Sequence, residues 1–424
     1  MNRENVYSEC LSALEKSNCV LLELPTGFGK SYLSLRMCNY LLNEGQFKQR
    51  VDTINILLLV AKRVHKQTWK EEISKWGGIN HPTAKINICM ECYESLKNHC
   101  KEHWDIILSD EQHHIASEAR LEFLNTMSFN YFIGLSATIP KKLKMYFKYK
   151  YHSEVVSCGI TEAIEDEVLP EPEILLFPLR LDNTIASETW EINPKSKGPI
   201  VYDEYKNIWK YKGKKIHAIL KCTQKQKSNE LNSLILWEKN QYMRTRNKAL
   251  EQMWLYHCGQ RLEFYADIKV PIVKEILKYL QRYRTITFCK TIEQCEQLGK
   301  NCIHSQNKDA DKVYEKFNQK KINHITAVNI LNENANLVDC KYGIFCNITS
   351  SDIITKQRQG RMLRHKKPIM VIPYYQGTRE EELVMKGVEG FKSVKTLYLK
   401  RSKNIKAIRN TYSDYIITTR TFHN

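Results

Sequence analysis

Residues 19–31 read Cys-Val-Leu-Leu-Glu-Leu-Pro-Thr-Gly-Phe-Gly-Lys-Ser, and the stretch Tyr32 to Glu44 that follows carries helical periodicity before Gly45 closes it. An apolar strand that ends in a glycine loop and opens directly into a helix is the setting of a phosphate-binding loop. Gly27 and Gly29 let backbone N–H groups wrap an anion, and the helix N-terminus adds a positive dipole end. In that setting Lys30 would neutralise β and γ phosphates and Ser31 would ligate Mg²⁺, with Thr26 and Phe28 completing the loop. The eight-residue form of this loop wants glycine where Leu24 stands, so the match is the shorter T-G-x-G-K-S form.

Working outward, short apolar runs alternate with amphipathic stretches: Cys19 to Leu24, Ile54 to Val60, Ile86 to Met90, Asp105 to Ser109 and Tyr131 to Leu135 read as strands. That alternation predicts a parallel sheet faced with helices, one α/β domain over residues 1–170. The acidic, proline-bearing stretch Glu165 to Pro172 breaks the pattern and reads as a linker. A second α/β domain is expected over 171–400, with strands at Thr285 to Phe288, Ile325 to Val328 and around Val371 and Ile372. Within it, residues about 181–265 are polar, with helical periodicity in Lys225 to Leu250 and no good strand, so a helical insertion is expected there. Residues 401–424 form a basic tail.

The 424 residues, 42% hydrophobic and 26% charged, can bury two or three cores. The net charge of +18 is spread along the chain, which makes a polyanion the first partner to consider, beside the plainer reading of a basic solvated surface. Met1 to Ser17 is polar and the longest apolar run is far too short to span a bilayer, so an intracellular protein is expected. The 14 cysteines follow no repeated framework, and disulfides are not expected. Cys89, Cys92, His99, Cys100 and His103 lie close in sequence, but an ordinary strand-to-helix turn is available there in place of a zinc knuckle, and no zinc is expected.

A second strand, Trp104 to Ser109, delivers Asp110, Glu111, Gln112, His113 and His114 at its carboxyl end, the edge where parallel sheets gather their ligands. Asp110 is suited to hold Mg²⁺ through water, and Glu111 to orient or deprotonate an attacking water. In the second half, Gln357-Arg358-Gln359-Gly360-Arg361-Met362-Leu363-Arg364 sets Arg361 and Arg364 on one helical face, able to point into a cleft together.

Taken together, Thr26 to Ser31, Asp110 to His113 and Ser136-Ala137-Thr138 resemble motifs I, II and III of the superfamily-2 helicases, and Gln357 to Arg364 resembles motif VI. The resemblance implies two tandem RecA-like domains, an ATP hydrolase coupled to nucleic acid, and Arg361 and Arg364 as arginine fingers beside Gln357. It assigns coupling of the nucleotide site to the track to His113, Ser136 and Thr138. Leu57 to Trp76 resembles motif Ia, with Lys62 and Arg63 as candidate contacts to backbone phosphates. Thr285 to Cys289 stands where motif IV belongs. Asn332 to Leu337 resembles motif V with Asn334 for the usual glycine and Val328 for the usual threonine. No glutamine precedes the P-loop to read adenine. The D-E-Q-H-H string and the W-K-E-E helix look more like the DNA-directed branch than the D-E-A-D RNA helicases. DNA is therefore expected ahead of RNA. A non-unwinding translocase, or a scaffold subunit of a restriction or replication complex, is a further alternative.

Overall fold

The computed structural model describes residues 2–99, 101–192, 200–203, 208–211, 218–328, 337, 339–347, 360, 362–363 and 365–397. The first domain is a six-stranded parallel sheet of β1 (Cys19–Glu23), β2 (Ile54–Val60), β3 (Ile86–Cys92), β4 (His103–Asp110), β5 (Ser128–Ser136) and β6 (Glu154–Ser157). Their order across the sheet is β3-β2-β4-β5-β1-β6. The apolar runs of β2 and β4 bury both faces, as central strands covered by helices must. Those helices are α1 (Arg3–Lys16), α2 (Lys30–Asn43), α3 (Arg63–Lys75), α4 (Glu118–Thr126), α5 (Lys141–Tyr151) and α6 (Ile160–Glu165). In α1, Asn2 caps the N-terminus and Val6, Cys10, Ala13 and Leu14 make the buried stripe.

The second sheet is also parallel, in the order β13-β14-β12-β15-β16-β7-β17. It comprises β7 (Glu173–Leu179), β12 (Thr285–Phe288), β13 (Cys302–Ile303), β14 (His324–Ala327), β15 (Tyr342–Phe345), β16 (Ile369–Tyr375) and β17 (Val394–Thr396). The strand β7, which follows the linker at once, is absent from the sequence-based list; it inserts between β16 and β17.

Between β7 and β12 the expected helical insertion needs correction. Two antiparallel pairs come first, β8 (Glu188–Ile192) with β11 (Ala218–Cys222) and β9 (Ile200–Asp203) with β10 (Ile208–Tyr211). Strands of only four or five residues need no long apolar run, so polar flanks hide them from a hydrophobicity reading. The helical part is a hairpin, α7 (Gln224–Thr245) and α8 (Lys248–Ile268), which leads into α9 (Val270–Leu280). The helical periodicity over Lys225 to Leu250 falls on both α7 and α8, which part at Arg246, where φ is 54°. Helices α10 (Ile292–Leu298), α11 (Ala310–Asn318) and α12 (Arg379–Val388) complete the domain.

The fully buried Lys269 donates to the Cys346 carbonyl at 2.8 Å and pairs with the buried Glu380, whose other oxygen accepts the Tyr375 N–H at 3.0 Å. This knot ties the start of α9 to the ends of β15 and β16. A continuous apolar cluster then joins the domains, running from Val6 and Leu22 through Leu169 to Ile174, Ile372 and Leu363.

Candidate functional site

The chain leaves β1 at Glu23 and turns through Pro25, with the Phe28 N–H donating back to the Pro25 carbonyl at 3.2 Å. Gly27 and Gly29 have φ of +92° and +105°, a left-handed backbone that disfavours a side chain. Gly29 is the N-cap of α2, so the loop and the first turn of the helix present N–H groups to one point. Phe28 is buried beneath and anchors the loop, and Arg3 Nε donates to its carbonyl at 2.9 Å. Lys30 Nζ donates to the Leu24 carbonyl at 3.1 Å across the mouth of the loop.

Asp110 ends β4 and Glu111 follows in the left-handed region at φ 50°, strained backbone for a residue with a side chain. Both are buried. Trp69 of α3 donates its indole N–H to Asp110 Oδ2 at 2.8 Å. Tyr93 donates to the Asp110 carbonyl at 2.6 Å and stands 2.8 Å from Ser109 Oγ. Burial raises the Tyr93 hydroxyl well above its ordinary pKa, which keeps it a donor. Sequence reasoning missed Trp69 and Tyr93. Trp69 lies inside the W-K-E-E string already singled out, but nothing local shows that its helix leans over β4.

His113 connects the acidic pair to the S-A-T segment at the end of β5, with Nδ1 3.1 Å from Ser136 Oγ and 3.4 Å from Glu111 Oε2. Ser136 Oγ spends its proton on the Thr138 carbonyl at 2.8 Å, so His113 Nδ1 supplies the proton in the contact to Ser136. A second tie was not foreseen. Glu23 accepts the Ile139 N–H at 2.8 Å and pairs with Lys144 of α5, fastening the P-loop strand to the loop behind Thr138.

The P-loop and the acidic pair open on a cavity of about 990 Å³ lined by Thr26, Gly27, Gly29, Lys30, Ser31, Asp110 and Glu111. Its other walls come from α1 at Arg3 and Glu4, from α3 at Thr68 and Glu72, from the linker at Glu167–Pro170, and from Leu363, His365 and Lys366 of the second domain. The domains touch at the loop itself: a Cβ on Gly360 would fall 2.5 Å from Thr26 Cβ. The cavity suits a nucleoside triphosphate in size, and the open glycine loop, the lysine and the hydroxyl–carboxylate pair suit its phosphates and a hard divalent cation. Gln357, Arg361 and Arg364 lie outside the described residues, as do Asn332 to Asn336. Lys62 and Arg63 are exposed at the start of α3, Lys62 as its N-cap, so Arg63 belongs to the helix and not to the turn before it.

The family described as "Type III restriction enzyme, res subunit" matches residues 3–141, and "Helicase conserved C-terminal domain" matches residues 268–366. "DNA 3'-5' translocase XPB2" of Sulfurisphaera tokodaii is 21% identical over 378 residues, 85% of this chain and 78% of that protein. "Probable helicase D10" of Escherichia phage T5 is 25% identical over 183 residues, 39% of this chain and 36% of that protein. Among solved structures, a variant of S. cerevisiae Dbp5 bound to RNA and ADP–BeF3 shares the fold at a TM-score of 0.55 and 10% identity, covering 96% of this chain and 95% of that one. No described helix is long and apolar enough to cross a membrane.

Proposed function

This chain belongs to the superfamily-2 helicases, and on that premise we propose that it is an ATP-driven motor that moves along or unwinds nucleic acid, with DNA as its track. The observation that carries the reading is the packing of Gly360 of the second domain against Thr26 of the P-loop, which makes one cleft of two domains.

In the reaction so proposed, the N–H groups around Gly27 and Gly29 and the Lys30 ammonium hold the β and γ phosphates of ATP. Ser31 and Asp110 would hold Mg²⁺, which when bound neutralises charge on the phosphate oxygens, and Trp69 fixes one Asp110 oxygen for that task. Glu111 orients and deprotonates the attacking water. Arg361 and Arg364, next in sequence to Gly360, which packs on Thr26, and to the cavity-lining Leu363, stabilise charge on the transferring phosphoryl group when the domains close. His113 and Ser136 carry the state of Glu111 to the S-A-T segment, and Lys62 and Arg63 contact phosphates of the track.

DNA is favoured by the D-E-Q-H-H string, the W-K-E-E helix and the name of the S. tokodaii relative. The likeness to RNA-bound Dbp5 rests on fold alone and keeps an RNA helicase as the second reading. Stimulation of ATP hydrolysis by single-stranded DNA, duplex DNA and RNA separates them, with fluorescent duplex unwinding to distinguish a helicase from a translocase. Lys30→Ala should lose turnover, and Glu111→Gln should lose turnover while retaining ATP. Wild-type hydrolysis in either variant overturns the motor, and stimulation by RNA alone overturns the choice of DNA.

A further inference from the structure

The edge strand β3 carries Cys89 and Glu91 two residues apart, which puts both side chains on one face. The 3-10 turn Tyr93–His99 folds back and brings His99 beside them. One ligand atom from each of Cys89, Glu91 and His99 lies within 4.8 Å of the others, the one such trio of metal-binding types among the described residues. The C-x-x-C spacing is not what assembles this group. Cys92 packs into the opposite apolar layer, as a three-residue step along a strand dictates, so Cys89 and Cys92 form no knuckle.

One neighbour supports a ligand set. His99 Nδ1 is 2.7 Å from Glu102 Oε2, a contact that orients the ring and leaves Nε2 for the cluster, as carboxylates do behind metal-bound histidines. Lys66 Nζ stands 3.2 Å from Glu91 Oε2, so a cation bound at the trio would take the place of that ammonium on the carboxylate.

We propose that Cys89 Sγ, a Glu91 carboxylate oxygen and His99 Nε2 bind a divalent cation of the zinc class, reversing the expectation drawn from the sequence. Sulfur, nitrogen and oxygen donors together favour a borderline-soft ion over magnesium or calcium, and three protein ligands leave a fourth position for water. The site is separate from Ser31 and Asp110. It clamps the edge strand to the turn that begins with Tyr93, whose hydroxyl holds the Asp110 carbonyl, so metal binding stiffens the wall behind the acidic pair.

The test uses the full chain, reduced and stripped of metal by chelator, titrated with Co²⁺ as the optical probe and then with Zn²⁺ as competitor. One equivalent of Co²⁺ should give a thiolate-to-cobalt absorption that Zn²⁺ abolishes, and Zn²⁺ should raise Tm. C89S, E91Q and H99Q should each weaken zinc binding by more than the roughly 10-fold to 100-fold expected of E102Q, which removes only the orienting partner. C92V, on the other face, should keep the absorption. Circular dichroism identifies any variant that fails to fold, and the remaining ligand variants then carry the test. Absence of a thiolate band at one equivalent overturns the proposal. So does a band that survives in folded C89S, or zinc affinity unchanged in both E91Q and H99Q.

Discussion

Replacing Gly360 with alanine tests whether the cleft between the domains is the catalytic one. The added Cβ would lie 2.5 Å from Thr26 Cβ, 3.1 Å from its carbonyl oxygen and 3.3 Å from its Cα. Carbon atoms rest about 3.5–4.0 Å apart, so the segments must part by about 1 Å. Thr26 cannot easily yield, because it is 7% exposed and belongs to a loop pinned by the buried Phe28. A displacement of about 1 Å between reacting groups costs on the order of 100-fold in rate, or about 2.7 kcal/mol of barrier. Gly360→Ala should therefore lower kcat for ATP hydrolysis about 100-fold, whereas nucleotide affinity, set by Lys30 and the glycine loop of the first domain, should change only a few-fold. Steady-state hydrolysis with saturating nucleic acid and a nucleotide-binding titration give both numbers. Gly259→Ala in α8, where nothing lies within 4 Å of the new Cβ, is the control and should hydrolyse ATP normally. Wild-type kcat in Gly360→Ala would refute the reasoning, since the contact at Thr26 would then be no part of the state that reacts.

Trp69→Phe keeps the apolar packing and removes the hydrogen bond to Asp110, a bond to a charged group worth about 1.5–3 kcal/mol; it should raise the Mg²⁺ concentration needed for half-maximal hydrolysis, and an unchanged Mg²⁺ dependence would count against a positioning role. Ser136→Ala should leave basal hydrolysis largely intact while reducing its stimulation by nucleic acid, and equal losses in both would show that the His113 contact serves folding instead. Glu380→Gln strands the buried Lys269 charge and should cost about 3–5 kcal/mol in urea unfolding, with most of it recovered in the double variant Lys269→Met, Glu380→Leu; a loss under about 1 kcal/mol would mean that water reaches the pair. Affinity for nucleic acid should fall steeply with salt and show little sequence preference, and salt-independent binding would rule out a phosphate track.

The strand, glycine loop and helix start of residues 19–31 were legible because everything they need is local: an apolar run, two glycines that accept a positive φ, and a helical period. Asp110 and Glu111 could be read for a related reason, since the end of an apolar strand in a parallel sheet is a fixed place relative to that loop. The partners of these groups were not legible. Trp69 reaches Asp110 only because α3 packs across the sheet, and β7 finds its place between β16 and β17 only when strands distant in sequence pair. Spacing suggested Cys89 with Cys92, but the two-residue period of a strand sends them to opposite faces, and the fold joins Cys89 to Glu91 and His99 instead. Sequence thus determined which chemical groups stand at each strand end, because backbone geometry there depends on neighbours a few residues away. Tertiary structure alone decided which side chains hold those groups in place, because that depends on how helices and strands far apart in the chain pack together.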